Sequence, residues 1–217
     1  EDGCIDVKLK TPKQQVYFSL NTISKPLASN VICALAAFLS RGFNLDKVYP
    51  YLKNLDFPRG RMDLMLLSEK DKCFIDYAHT PEALETSLTE LKEAFKNSNL
   101  WCIFGCGGDR DRDKRSKMGQ VAELLSDFLV ITNDNPRTEN EFDIIEEINQ
   151  GIKNKTRIKI IPNRKEAILY CLNKMKANKE SNVLLIAGKG HEDYQDVLGK
   201  RVHFSDHEQV KSFLTSN

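Results

Sequence analysis

The sequence predicts an α/β protein: a mostly parallel sheet with helices on both faces and a C-terminal hairpin, preceded by a partial α/β segment. From residue 70 onward, short apolar runs alternate with stretches of helical periodicity, which is the order that parallel strands joined by right-handed crossovers require. Residues 1–60 do not show this alternation of apolar runs and helical stretches. The Pro- and Gly-containing stretch 57–61 is the best candidate for a linker between the two parts.

Five apolar runs are the candidate strands of a Rossmann-like sheet, at 73–77, 100–104, 127–132, 157–161 and 182–187. The candidate helices between them are 81–96, 117–126, 141–151 and 163–177. Thr80 before Pro81 is a typical helix start, since the hydroxyl can cap the helix and proline suits its first turn. The turn at 198–200 predicts a hairpin over 194–204, and 206–215 predicts a closing helix.

The first 60 residues predict two paired strands, 7–9 and 16–20, then a buried helix over 27–39 and a second helix over 45–55. A segment of this length makes a thin core for an independent domain. We therefore expect it to pack against chain outside this sequence, with a domain boundary between residues 60 and 61.

Composition excludes several classes of protein. Lys and Arg (32) nearly balance Asp and Glu (31), which argues against a nucleic-acid partner. No apolar run approaches the roughly 20 residues that span a bilayer, and the first residues lack the features of a signal peptide, so we expect a cytoplasmic protein without a membrane partner. The six cysteines lack zinc-ligand spacing and predict reduced thiols without a metal site.

Four of the five predicted strands end in polar or glycine-rich sequence, at 76–81, 105–111, 133–137 and 188–192. Asn and Asp before a proline are also typical of a simple turn, so 133–137 alone decides nothing. In an open parallel sheet, however, all strand carboxyl ends lie along one edge, where ligands bind. We therefore expect the four loops to form one crevice.

The known phosphate-binding patterns do not explain these loops. Residues 105–108 lack the G-x-G-x-x-G spacing and lead into Asp109, whose carboxylate would repel a pyrophosphate. The segment 188–190 lacks the spacing of a Walker A loop.

The charged groups of the loops suit an amino acid better. Arg110 and Arg137 can bind a carboxylate, while Asp134, Asn135 and Glu192 can accept from an ammonium.

Other functions remain open at this point. His79 and His191 are either general bases or hydrogen-bonded contacts, because no paired nucleophile stands at a recognisable spacing. A non-catalytic small-molecule or nucleotide-binding module is the main competing class. A nucleic-acid-binding protein that uses the charged run 109–115 is a further one, although three carboxylates interleave with its cations.

The four loops, in this order, resemble the C-terminal domain of the Mur ligase family. The matching motifs are Asp76-Tyr-Ala-His-Thr-Pro81, Phe104-Gly-Cys-Gly-Gly-Asp-Arg110, Asp134-Asn-Pro-Arg137 and Ala187-Gly-Lys-Gly-His-Glu-Asp-Tyr-Gln195. Asp134–Arg137 is similar to the recognition motif of the members that add meso-2,6-diaminopimelate, whereas lysine-adding members depart from it at the arginine.

The resemblance implies a distribution of roles along the chain. Residues 61–217 would be the amino-acid-binding ligase domain and residues 1–60 the tail of the central ATPase domain, although Pro26-Leu27 departs from the Phe-Asn usual in relatives. Diaminopimelate would be held by Arg110, Asp134, Asn135, Pro136, Arg137, Gly188 and Glu192. ATP would be contacted by Asn30, Arg61, Asp76 and His79.

The same resemblance implies the partners of the parent enzyme, which are ATP, diaminopimelate and a UDP-N-acetylmuramoyl dipeptide. It implies no catalytic residue and no metal ligand in this chain, with the Mg²⁺ ligands expected upstream. A complete phosphate-binding loop does not occur in the sequence, so we expect the isolated chain to be inactive and monomeric.

Overall fold

A computed structural model describes residues 3–11, 14–52 and 54–216 of the chain. The chain divides into two compact units, which cover residues 1–58 and 59–217. Within the described ranges, no helix is both long and apolar enough to cross a membrane.

The first unit is a strand pair followed by two helices. Strands β1 (Ile5–Lys10) and β2 (Gln15–Leu20) pair antiparallel, and helices α1 (Lys25–Ser40) and α2 (Leu45–Leu52) follow them. The Ser24 hydroxyl accepts from the amide of Leu27 and caps α1. The core consists of Phe18, Leu20, Ala28, Leu35, Leu45 and Leu52.

The prediction of a buried helix over 27–39 is wrong. Only Ala28 and Leu35 of α1 are buried, and the ring of Phe38 is 45% exposed. Within this unit the core cluster reaches α1 along one stripe alone, so the apolar residues on its remaining surface face solvent. The second helix ends at Leu52, three residues earlier than predicted.

The second unit contains a six-stranded sheet with the order β3-β4-β8-β5-β6-β7. Its strands are β3 (Asp63–Leu66), β4 (Asp71–Asp76), β5 (Asn99–Phe104), β6 (Phe128–Ile131), β7 (Ile158–Ile160) and β8 (Asn182–Ala187). All neighbouring pairs are parallel except β3 with β4, which is antiparallel. The predicted, mostly parallel sheet is therefore confirmed, whereas the antiparallel edge strand β3 was not predicted.

Helices cover both faces of this sheet. They are α3 (Pro81–Ala94), α4 (Asp113–Leu125), α5 (Glu141–Asn149), α6 (Arg164–Ala177) and α7 (Asp206–Thr215). On one face, Ile168 of α6 and Val210 of α7 belong to one buried cluster with Ile75 and Ile186 of the sheet. Phe74 points to the opposite face, because side chains alternate along a strand, and its ring lies 5.7 Å from that of Phe95 after α3.

The C-terminal hairpin is confirmed as well. Strands β9 (Tyr194–Val197) and β10 (Lys200–His203) pair antiparallel, and Leu198 and Gly199 turn between them with positive φ. The hairpin is joined to the loop after β6, since the amide of Arg137 donates to the carbonyl of Asp196 and the amide of Leu198 donates to the carbonyl of Arg137.

Candidate functional site

The four polar loops meet at the carboxyl-terminal edge of the parallel strands, as predicted, and enclose an open cleft of about 440 Å³. Six of the residues predicted to bind an amino acid line it, together with His79. Those six are Arg110, Asp134, Asn135, Arg137, Gly188 and Glu192. The cleft is also lined by Tyr77, Thr80, Gly105, Cys106, Gly107, Asp111, Lys114 and Tyr194.

Glycines let the loop after β5 pack directly on the backbone of the loop after β6. A Cβ atom on Gly105 would lie 2.2 Å from the carbonyl oxygen of Thr132, and one on Gly108 would lie 2.0 Å from that of Pro136. The amide of Gly108 donates to the carbonyl of Asn135 at 2.9 Å. These glycines therefore serve loop packing, which explains why they do not follow a phosphate-binding pattern.

Asp134 is buried against Gly188 on the floor of the cleft. Gly188 has a φ of +110°, and a Cβ atom there would lie 2.6 Å from the Asp134 Oδ2 atom. Burial raises the pKa of the Asp134 carboxyl, and the charges of Arg164 and Lys189 oppose that rise. The Asp134 carbonyl accepts from the Gln195 side chain at 2.9 Å, which fixes the loop from its outer side.

Asn135 and Glu192 share a buried lysine that the sequence analysis had not assigned to the site. The Lys189 ammonium lies 3.2 Å from the Asn135 Oδ1 atom and 3.1 Å from the Glu192 Oε2 atom. The Asn135 Nδ2 atom donates to the same Glu192 oxygen at 2.9 Å. The only available signal was the position of Lys189 between two glycines directly after a buried strand.

Arg137 holds an unusual backbone conformation at the mouth of the hairpin. Its φ is +51°, which is uncommon for a residue with a side chain, and its backbone is bonded to β9 and the following turn. Its Nη1 atom donates to the carbonyl of Gly108 at 2.6 Å, so the guanidinium crosses to the loop after β5. Pro136 is placed differently: its carbonyl accepts from the amide of Glu139 and packs on Gly108.

The remaining cations that line the cleft are Arg110, in the loop after β5, and Lys114, in the first turn of α4. Arg110 is exposed, and its Nη1 atom donates to the carbonyl of Asp109 at 3.0 Å. Lys114, which was not predicted, donates to the carbonyl of His79 at 2.8 Å. The His79 Nδ1 atom lies 2.8 Å from the carbonyl oxygen of Tyr77, so this ring nitrogen carries the proton in that contact.

The residues predicted to contact ATP are divided between the two units. The exposed guanidinium of Arg61 lies over the ring of Tyr77, 4.7 Å from its centroid. Asp76 is buried, and its two oxygens accept from the Met62 amide (3.0 Å) and the Ser87 hydroxyl (2.7 Å). Asn30 belongs to the first unit, where it is exposed on α1.

Three comparisons relate the chain to known proteins. The family model "Mur ligase, glutamate ligase domain" matches residues 60–190. The UDP-N-acetylmuramoyl-L-alanyl-D-glutamate–2,6-diaminopimelate ligase of Buchnera aphidicola subsp. Baizongia pistaciae is 46% identical over 188 residues, which are 85% of this chain and 36% of that protein. The ligase of the same name from Haemophilus influenzae (strain Rd) is 44% identical over 186 residues, 86% of this chain and 37% of that protein.

A solved structure of a ligase of this name is also similar. It superposes with a TM-score of 0.69 and 34% sequence identity, over 97% of this chain and 42% of that chain. The present chain thus spans 36% to 42% of the length of these relatives.

Proposed function

The chain belongs to the Mur ligase family, and from this premise we propose that it is the amino-acid-binding part of an ATP-dependent ligase of peptidoglycan synthesis. The parent enzyme adds meso-2,6-diaminopimelate to UDP-N-acetylmuramoyl-L-alanyl-D-glutamate. Residues 61–217 form the ligase domain, and residues 1–60 are the tail of the central ATPase domain. The names of the relatives that are 46% and 44% identical support this choice of substrates.

The reaction proceeds in two steps. ATP transfers its γ-phosphoryl group to the γ-carboxylate of the D-glutamate residue and leaves as ADP, which gives an acyl phosphate. The neutral amine of diaminopimelate then attacks the acyl carbon, an amide bond forms, and phosphate leaves with the electrons of the broken C–O bond while the amine loses a proton. This chain contributes orientation, because a held amine turns the second step into an effectively unimolecular one.

The main support for this proposal is the cleft, because positively and negatively charged side chains line it together. Diaminopimelate has two ammonium and two carboxylate groups, so its site needs donors and acceptors side by side. The guanidinium groups of Arg110 and Arg137 supply the donors, and Asp134 and Glu192 supply acceptors on the same cleft. The burial of Asp134 strengthens its interaction with an ammonium, because little water competes there.

We also assign Asn30 of the first unit and Arg61, Asp76 and His79 of the second unit to ATP binding. Arg61 supports this assignment, because it is exposed and its guanidinium lies over the Tyr77 ring, where it can bind a phosphate. Among the described residues no group of three or more His, Cys, Asp or Glu side chains is placed to hold a metal ion. In this proposal, the part of these residues in the reaction is to bind and orient ATP.

The test is an assay of the full-length protein that contains this chain. Phosphate release from ATP is measured with the UDP-N-acetylmuramoyl dipeptide and with diaminopimelate, L-lysine or no amino acid, and the product is identified by mass. We expect release and a tripeptide product that depend on diaminopimelate. Equal rates with lysine, or release without a new amide, would contradict the proposal.

A further inference from the structure

Lys189 lies behind the cleft without touching solvent. We propose that it is a positioning residue: its ammonium fixes the side chains of Asn135 and Glu192 so that they present a donor and an acceptor to the amino-acid substrate. This inference rests on the proposed function, because it concerns the side chains that are assigned to that substrate.

The Lys189 side chain is fully buried, and its ammonium contacts the side chains of Asn135, Glu192 and Tyr194. The contacts are with the Asn135 Oδ1 atom, the Glu192 Oε2 atom and the ring face of Tyr194, whose centroid is 5.4 Å away. A buried ammonium without such partners would be strongly unfavourable. Lys189 therefore cannot move without also releasing Asn135 and Glu192.

The ammonium decides which way the Asn135 amide points. The Oδ1 atom accepts from Lys189 and, at 3.0 Å, from the amide of Asp196. A flipped amide would place its NH2 group against two donors, which is unfavourable. The Nδ2 atom is thus held towards Glu192, where it donates one hydrogen. Within the part of the chain that the structure describes, its second hydrogen has no acceptor, so it can donate to a carboxylate in the cleft.

The same ammonium holds the Glu192 carboxylate. The Oε2 atom accepts from both Lys189 and Asn135, and the Glu192 side chain is 16% exposed towards the cleft. Among the described hydrogen bonds none uses the Oε1 atom, which can accept from a substrate ammonium. An N–H donor beside a carboxylate acceptor matches the carboxylate and ammonium of one amino-acid end group.

The test compares the full-length protein with its Lys189→Met variant, which keeps the length of the side chain and removes the charge. We expect the KM for the amino acid to rise about 10-fold or more, as for the loss of a charge-assisted hydrogen bond, with the KM for ATP unchanged. If Lys189→Met does not accumulate as folded protein, Lys189→Gln is assayed in the same way, since it also removes the charge.

Two controls separate positioning from a general loss of stability. Met175→Ala opens the core under α6 at a buried residue that does not line the cleft, and it should lower Tm without a selective rise in the amino-acid KM. Asn135→Ala completes a double-mutant cycle. If Lys189 acts through Asn135, the two effects on the amino-acid KM are not additive.

Each outcome decides between the two proposals. Similar kinetics for Lys189→Met and Met175→Ala, or additive effects in the cycle, overturn the positioning role of Lys189. They leave the assignment of diaminopimelate standing. A wild-type protein that ligates a different amino acid, with a KM that Lys189→Met raises, overturns the diaminopimelate assignment and supports Lys189. A wild-type protein that ligates no amino acid overturns both.

Discussion

Arg115 of α4 and Glu139 in the loop after β6 form a two-pronged salt bridge beside the cleft. The Nη1 and Nη2 atoms of the fully buried Arg115 lie 2.9 and 2.8 Å from the two carboxylate oxygens. Arg115 also donates to the carbonyl of Gly107 at 3.2 Å, and Glu139 accepts from the amide of Asp109. One ion pair therefore sets the loop after β5 against the loop after β6.

This ion pair predicts how stability depends on pH. The hydrogen bonds from Arg115 lower the pKa of Glu139 from 4.5 to about 2. Because the folded pKa lies below the unfolded one, the stabilisation is fully present above the unfolded pKa and is lost as the pH falls towards about 2. We expect the loss in free energy of unfolding caused by Glu139→Gln to be largest at neutral pH and to shrink below pH 4.5.

Urea unfolding followed by the fluorescence of Trp101, the single tryptophan, measures this dependence. Glu85→Gln is the control, since Glu85 is exposed on α3, and its effect should stay small across the same range. An effect of Glu139→Gln that does not change with pH would contradict the prediction.

Arg137→Lys tests whether the Arg137 guanidinium binds the distal carboxylate of diaminopimelate, the one that L-lysine lacks. Lysine keeps the charge but loses the planar fork, so the full-length variant should lose about 10- to 100-fold in kcat/KM for diaminopimelate. The kcat/KM of the variant for L-lysine, which lacks that carboxylate, should change little. Kinetics with both amino acids at fixed ATP decide the matter: equal losses would mean that Arg137 only supports the loop and its contact with Gly108.

Two glycines with positive φ give a matched pair of alanine variants. At Gly199 in the hairpin turn, φ is +73° and a Cβ atom would meet nothing within 4 Å, so Gly199→Ala should cost about 1 kcal/mol from backbone strain alone. Gly188→Ala adds a collision with the Asp134 carboxylate and should cost clearly more. Tm and amino-acid KM are measured for both, and only Gly188→Ala should impair binding of the amino acid. Equal effects would show that the cleft tolerates the added methyl group.

Asp76→Asn tests the proposal that Asp76 binds ATP, in which its carboxylate would accept from a ribose hydroxyl. The asparagine oxygen still accepts from the Met62 amide, and the Ser87 hydroxyl can turn to accept from the new NH2 group, so the fold should be retained. Loss of a carboxylate that accepts from a ribose hydroxyl should raise the KM for ATP by about 10-fold. Ser87→Ala is the control, because it removes the internal hydrogen bonds of Ser87 and keeps the Asp76 carboxylate. A similar KM for ATP in both variants would assign Asp76 a purely structural role.

Most of the sheet could be predicted because its strands are buried on both faces and read as continuous apolar runs. All six residues of β8 are buried, whereas the four of β3 alternate and leave Leu66 64% exposed. So short an alternation at a sheet edge resembles a loop in the sequence. Helix α4 begins at Asp113, four residues before the predicted start at 117. The Asp111 carboxylate accepts from the amide of Asp113 ahead of the first turn, a contact that the run of alternating charges does not indicate.

The composition of the cleft could be predicted only where residues stand in recognisable loops. Asp134, Arg137 and Glu192 follow buried strands directly, so topology alone placed them together. Lys189 has one partner nearby, Glu192, but its other hydrogen-bond partner, Asn135, is 54 residues away, and the partner of Lys114 is 35 residues away. No local pattern reveals such distant contacts. The same holds for Arg115, which appears in the sequence as one member of a run of charges.

The central position of β8 has a consequence for the order of events during synthesis. β8 is the last strand of the main sheet along the chain, yet it lies between β4 and β5 and pairs with both. Until residues 182–187 leave the ribosome, the β3-β4 pair and the β5-β6-β7 group have no strand to join them, and their inner edges stay open to other chains. A nascent chain that stalls before residue 182 would therefore expose two unpaired strand edges. The loop that contains Gly188 and Glu192 directly follows β8, so the sheet and the cleft are completed by the same part of the chain.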